Sequence, residues 1–174
     1  DAPRAVSRWA GAADPDAYCK LLALLLSSLR GNIFFYQGEE LGLQQGEVPF
    51  ERLRDPEAIT NWPATLGRDG ARTPMPWVSQ SEFGGFSTSE PWLPIDPTHL
   101  SRSIERQDRD QDSVLNFTRR VGHHQERVVG GLGDRGRVRA RELAQRALDR
   151  PGEALELGLQ RAERLLPARI ERLE

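Results

Sequence analysis

The sequence holds one cysteine (Cys19), one methionine (Met75) and one lysine (Lys20) in 174 residues. A lone thiol excludes a disulfide scaffold and any zinc site built from cysteines. Long apolar runs are missing too. The longest, Leu21 to Leu29, is interrupted by Ser27 and Ser28 and falls far short of the roughly 20 residues that span a bilayer. Neither sign of charge dominates: 24 basic and 26 acidic side chains leave a formal net charge of −2, which gives no footprint of a nucleic-acid or polyanion binder. No methionine opens the chain and no signal peptide is visible, so the sequence reads as a piece of something larger.

Aromatic residues are absent from the last 57 positions; all twelve lie between Trp9 and Phe117. Eleven arginines and nine acidic residues crowd positions 121–174 instead. Up to about Arg120 the chain has the aromatic and turn-forming mix of a folded enzyme, and beyond it the composition is charged and nearly coreless. The chain as a whole is polar, with a mean hydropathy of −0.60. Its 16 glycines and 12 prolines make it rich in turns.

A helix is predicted over 14–30. Asp14 serves as N-cap, Pro15 fits the first turn, Asp16 favours the positive end of the dipole, and Gly31 can close the far end. Tyr18, Leu21, Leu22, Leu24, Leu25, Leu26 and Leu29 cover much of its circumference, so the helix should pack on more than one side. Asn32-Ile33-Phe34-Phe35-Tyr36 follows at once, an apolar β-forming run with the pattern of a strand buried on both faces. Helix followed by buried strand points to α/β architecture, either a barrel or a doubly wound sheet.

Gln37-Gly38-Glu39-Glu40 then places polar and acidic groups at the carboxyl end of that strand, where barrels build their sites. The adjoining acids read better as holding the loop than as catalysts. A long connection, Gln44 to Glu90, contains Gly67-Arg68-Asp69-Gly70-Ala71-Arg72-Thr73-Pro74-Met75-Pro76-Trp77; loops of such length inside a domain are usually functional. A second helix is predicted to begin at Asp112, or with Asp110 as its cap, and to carry Val114, Leu115 and Phe117.

In this order, DAPRAVSRW, a leucine-rich helix, GNIFFYQGEELGL, GRDGARTPMPW, PWLP and QDSVLNFTRR resemble the α-glucosidases of the α-amylase superfamily. The likeness is to the bacterial branch with oligo-1,6-glucosidase and the maltose-acting enzymes, and it covers residues 1 to about 120. It implies the C-terminal portion of a (β/α)8 TIM barrel, from the end of strand 7 to helix 8, with Asn32 to Tyr36 as strand 8. Asp1 resembles the acid that ends the family's Asn-His-Asp motif, a transition-state stabiliser on the sugar's 2- and 3-hydroxyls. Arg68 resembles the arginine that anchors the non-reducing glucose, usually paired with an upstream aspartate. Arg72 competes for that role and is otherwise a clamp on backbone carbonyls. Arg4 and Arg8 are expected to brace the loop after strand 7.

Retaining glycosidases need a carboxylate nucleophile and a carboxylic acid about 5–5.5 Å apart. The family takes these from earlier strands, so the resemblance implies an enzyme class whose full machinery this chain lacks, and the chain alone should be inactive. A disaccharide or oligosaccharide is the implied substrate, with no cofactor, no metal, no nucleic-acid partner and no membrane, in a cytoplasmic setting. A glucosyl-transferring relative, such as a trehalose synthase or a sucrose-active enzyme, is the nearest alternative; a non-catalytic, amylase-like ancillary protein or remnant is the other.

Residues 121–136 read as a glycine-rich linker and 137–174 as an arginine-rich helical or disordered tail outside the family pattern. A frame change in a high-GC coding sequence accounts for such a tail, a genuine helical or fused segment being the alternative. Adjacent His123 and His124 point to different helix faces and make no metal site. GGLGDRG follows no strand and lacks the Gly-Lys-Ser/Thr ending of a phosphate loop.

Overall fold

The computed structural model describes residues 3–29, 32–65 and 67–129, with side chains as far as Gly122. Six α-helices stand among them: α1 (Ala5–Trp9), α2 (Pro15–Ser28), α3 (Pro56–Asn61), α4 (Pro97–Leu100), α5 (Ile104–Arg109) and α6 (Val114–Val129). Single 3₁₀ turns at Glu39–Leu41, Phe50–Arg52 and Asp69–Ala71 punctuate the long connections.

One device starts three of the helices. Asp14-Pro15, Asp55-Pro56 and Asp96-Pro97 each put a carboxylate at the N-cap and a proline in the first turn. The carboxylate accepts an early N–H that would otherwise lack a partner, and the ring fixes a helical φ where no donor is needed. At Asp14 the bond from the Ala17 amide is 2.8 Å. The last helix starts differently from the sequence expectation. Ser113, not Asp112 or Asp110, is its cap, its hydroxyl accepting the Asn116 amide at 3.2 Å and donating to the Gln107 carbonyl at 2.7 Å. Asp110 is used one step earlier, in a turn closed by the Asp112 amide at 2.9 Å.

Helix α2 packs on α6 through Ala23, Phe117 and Val121, and on α1 through Val6, Tyr18 and Cys19, with Val114 closing that cluster. A third cluster sets Leu41 and Leu43 against Leu115, with Met75 and Ile104 at its edge. Leu41 and Leu43 are among the most completely buried side chains, at 0 % and 1 % exposure; burying each contributes on the order of 1.5–3 kcal/mol. Helix α2 thus packs against two other helices, with most of its leucines left half-buried. Tyr18, Cys19 and Ala23 are buried, Leu29 is 44 % exposed, and the other leucines are half-buried.

The strand expected over Asn32–Tyr36 does not form: no residue among those described is in a β-ladder. Strand hydrogen bonds run between chains of a sheet, and no second strand lies beside this segment among the described residues. Phe34 is consequently 83 % exposed. Arg30 and Gly31, the expected end of the first helix, lie outside the described residues; the helix ends at Ser28. Helix α6 continues through 121–129, which the sequence pattern gave to a linker, because Val121 is buried at 4 % exposure on the face that carries Phe117. Residues 130–136 of that linker and the whole 137–174 tail lie outside the described residues.

Candidate active site

Three segments that are far apart in sequence converge: the start of α1, the turn after Tyr36, and the arginine loop 67–73. Arg4 stands where they meet. The residue is 3 % exposed, and its guanidinium donates from Nη1 to the Gln37 carbonyl at 2.6 Å and from Nη2 to the Ala71 carbonyl at 3.0 Å. Its backbone amide donates to the Gln45 side-chain oxygen at 3.0 Å. Burial pushes the Arg4 guanidinium down, and Tyr36, Glu40 and Glu39 oppose it. The bracing role expected of Arg4 is thus visible bond by bond. Arg8 instead lies 4.9 Å over the Trp9 ring on the exposed side of α1.

Glu39 and Glu40 serve the turn, as expected. Glu39 accepts the Tyr36 amide at 3.1 Å and Glu40 the Gly38 amide at 2.8 Å. Burial raises the Glu40 carboxyl, and hydrogen bonds to its own and the Gly38 amide pull it back. Below the turn, the Leu41 carbonyl accepts from Arg102 Nε at 2.9 Å and Gln107 Nε2 at 2.8 Å. Arg102 also reaches Asp16 at 2.5 Å, so the turn, α2 and the start of α5 are tied together.

The arginine loop is organised by two carboxylates that sequence reasoning passed over. Asp69 accepts the amides of Arg54 at 2.6 Å and Asp55 at 2.8 Å. Asp55, whose side chain is fully buried, accepts Arg68 Nη2 on one oxygen at 2.6 Å and Arg68 Nε on the other at 3.1 Å. The second oxygen also accepts the Arg68 amide at 2.7 Å. The forked bond from Arg68 holds the Asp55 carboxyl well below the usual carboxylate range, and Asp55 in turn raises the guanidinium. Asp55 is the upstream aspartate that Arg68 meets in this structure. Arg68 thus makes its clamp on a carboxylate.

Behind the loop, His99 is 1 % exposed. Its Nε2 lies 3.0 Å from the Gln44 carbonyl and its Nδ1 3.5 Å from the Thr73 hydroxyl. A carbonyl can only accept, so Nε2 carries the proton and Nδ1 accepts from Thr73. Asp96 adds a bond to the Glu47 amide at 3.1 Å. The signal that could have found Asp55 and Asp96 is the repeated Asp-Pro pair, read as a cap with carboxylate oxygens to spare. No sequence signal marks His99 as a pin. Asp1 lies outside the described residues, so the site residues brought together here are the arginine loop and its supports.

Residues 1–135 match the family profile for the alpha amylase catalytic domain. The chain belongs to the alpha-amylase family. It is 53 % identical over 121 residues to a probable alpha-glucosidase of Rhizobium meliloti, covering 69 % of this chain and 22 % of that protein. It is 32 % identical over 143 residues to the oligo-1,6-glucosidase of Parageobacillus thermoglucosidasius, covering 70 % of this chain and 25 % of that one. Among solved structures, the alpha-glucosyl transfer enzyme XgtA is similar, with a TM-score of 0.67 at 46 % identity over 74 % of this chain and 24 % of that chain. The likeness to α-glucosidases in the sequence motifs therefore holds, and the chain spans about a quarter of the length of the curated relatives it matches. No helix among the described residues of this alpha-amylase family chain is long and apolar enough to cross a membrane.

Proposed function

We propose that the chain forms the C-terminal portion of the (β/α)8 barrel of a retaining α-glucosidase that removes terminal α-linked glucose from malto- or isomalto-oligosaccharides. The observation that carries this reading is the 53 % identity to a probable alpha-glucosidase over 121 residues. Residues 1–120 are the barrel portion in this reading, with the 121–136 linker, its first residues helical, and the 137–174 tail beyond it.

The chemistry divides as follows. An Asp nucleophile and a Glu acid/base, supplied from outside this chain, open the glycosidic bond in two steps through an oxocarbenium-like transition state. Asp1 is the third carboxylate, gripping hydroxyls whose contacts tighten as the sugar ring flattens. Arg68 holds the non-reducing end of the glucose. Asp55 fixes the plane of its guanidinium in advance, so less side-chain freedom is lost when sugar binds. Arg72, four residues on and half-buried, is the competitor for that contact. The substrate is a disaccharide or oligosaccharide and the setting is cytoplasmic, with no part for nucleic acid or a membrane.

A glucosyl-transferring enzyme is the second reading, favoured by the likeness to XgtA. Hydrolase and transferase share the covalent glycosyl intermediate and differ in whether water or a sugar hydroxyl attacks it. Product analysis from maltose and from sucrose separates the two. The test of the division of labour is turnover of p-nitrophenyl α-D-glucoside. The 174-residue chain by itself should give none; measurable hydrolysis by the purified chain contradicts the reading.

A further inference from the structure

Beyond that reading, and resting on it, we infer that Arg4 is the positioning residue of the site: its forked guanidinium sets the arginine loop against the turn after Tyr36.

The argument starts from the carbonyl that Arg4 holds. Ala71 lies between Arg68 and Arg72, and its carbonyl accepts Arg4 Nη2 at 3.0 Å. Whichever of the two arginines meets the sugar, its backbone is located by this bond. The other arm, Nη1, holds the Gln37 carbonyl at 2.6 Å on a separate segment. The rigid planar fork of arginine presents two donors at a fixed separation; an ammonium on a flexible stem satisfies one carbonyl and leaves the other buried and unpaired. Arg4 Nε is buried with no hydrogen-bond partner.

The surrounding sequence keeps room for the fork. Gly38 has φ of +89°, and a Cβ built there would come within 2.7 Å of Arg4 Nη1 and 2.7 Å of Leu43 Cδ1. Across the junction, the Gly70 carbonyl accepts the Gly46 amide at 2.8 Å, a second backbone tie between the same loop and the segment beyond the turn.

The test uses the complete polypeptide in which this segment stands with its catalytic carboxylates, and p-nitrophenyl α-D-glucoside as substrate. Arg4→Lys keeps the charge and most of the stem. It should fold, with an unchanged circular dichroism spectrum, and yet lose about tenfold or more in kcat/KM. Gly38→Ala, which leaves Arg4 in place but intrudes on its guanidinium, should lose kcat/KM in the same direction. Arg8→Lys, on the exposed contact with Trp9, should stay within twofold. The failures are separable. If Arg4→Lys is folded and keeps its kcat/KM while Arg68→Lys or Arg72→Lys loses tenfold, the positioning role is overturned and the functional reading stands. If neither loop arginine matters to kcat/KM, the reading of the loop falls and the role of Arg4 falls with it.

Discussion

Asp55 grips Arg68 with both oxygens of a fully buried carboxylate, and the same two residues are joined again through the Arg68 amide. The chain between positions 55 and 68 is closed into a loop by that pair, with Asp69 pinning the Arg54 and Asp55 amides from beneath. Everything proposed for the site depends on this loop being rigid.

Asp55→Asn keeps the size and removes the charge. The amide nitrogen cannot accept, so at least one of the three Arg68 bonds is lost and the loop opens. Trypsin should then cut after Arg68 faster than in the unaltered protein, by about tenfold or more if the opening equilibrium shifts by the ~1.4 kcal/mol that a factor of ten represents. The pair also fixes a pH signature. Because the folded carboxyl titrates below its unfolded value, its contribution is fully present above about pH 4 and is lost as pH falls toward the folded value. Acid unfolding followed by circular dichroism should show the Asn variant's deficit at neutral pH shrinking in strong acid.

His99 gives a second pH window. Burial pushes its imidazole down, with Asp96 and the Gln44 carbonyl opposing and Arg4 and Arg102 adding to the effect. The folded protein thus binds the proton less readily than the unfolded chain, whose histidines titrate near pH 6.5. Stability from this site is complete above that pH and declines as pH drops through it toward the folded value. Thermal midpoints measured from about pH 7.5 down to 5 should fall more steeply for the unaltered protein than for His99→Gln.

Leu41→Ala removes a side chain with 0 % exposure from the cluster with Leu43 and Leu115, and should destabilise by about 2–5 kcal/mol. Leu29→Ala, at 44 % exposure, should stay within about 0.5 kcal/mol. Urea unfolding at one temperature measures both.

Cys19 is buried in the α1–α2 cluster, and burial pushes its thiol up to about 12. The thiolate is the reactive form, so Ellman's reagent should be slow at pH 8 in the folded protein and fast after urea. Equal rates in both conditions contradict the packing of α2 on α1.

Local rules made some of this fold legible and tertiary ones hid the rest. Asp14 and Pro15 announce a helix because an N-cap acts on residues two or three positions away. The Asn32–Tyr36 run announces a strand by composition, but a strand is made by its neighbours, and Phe34 lies exposed without them. The arginine loop was visible as a motif; its organiser, Asp55, was not, because a carboxylate thirteen residues away acts through folding back of the chain. Ser113 displaced the expected Asp cap because its hydroxyl both donates to Gln107 and accepts from Asn116, which a carboxylate cannot do. Arg4 was read as a brace, yet only the geometry reveals that its two arms hold two different segments.

The central claim is that this segment supplies Asp1 as the third carboxylate of an α-glucosidase whose nucleophile and acid stand elsewhere. The most direct measurement is kcat for p-nitrophenyl α-D-glucoside in the complete polypeptide, with and without Asp1→Asn. The account predicts a folded variant with kcat lowered by at least about a hundredfold, as removal of a group acting in the transition state costs. A folded Asp1→Asn enzyme with kcat within a few-fold of the unaltered one contradicts it.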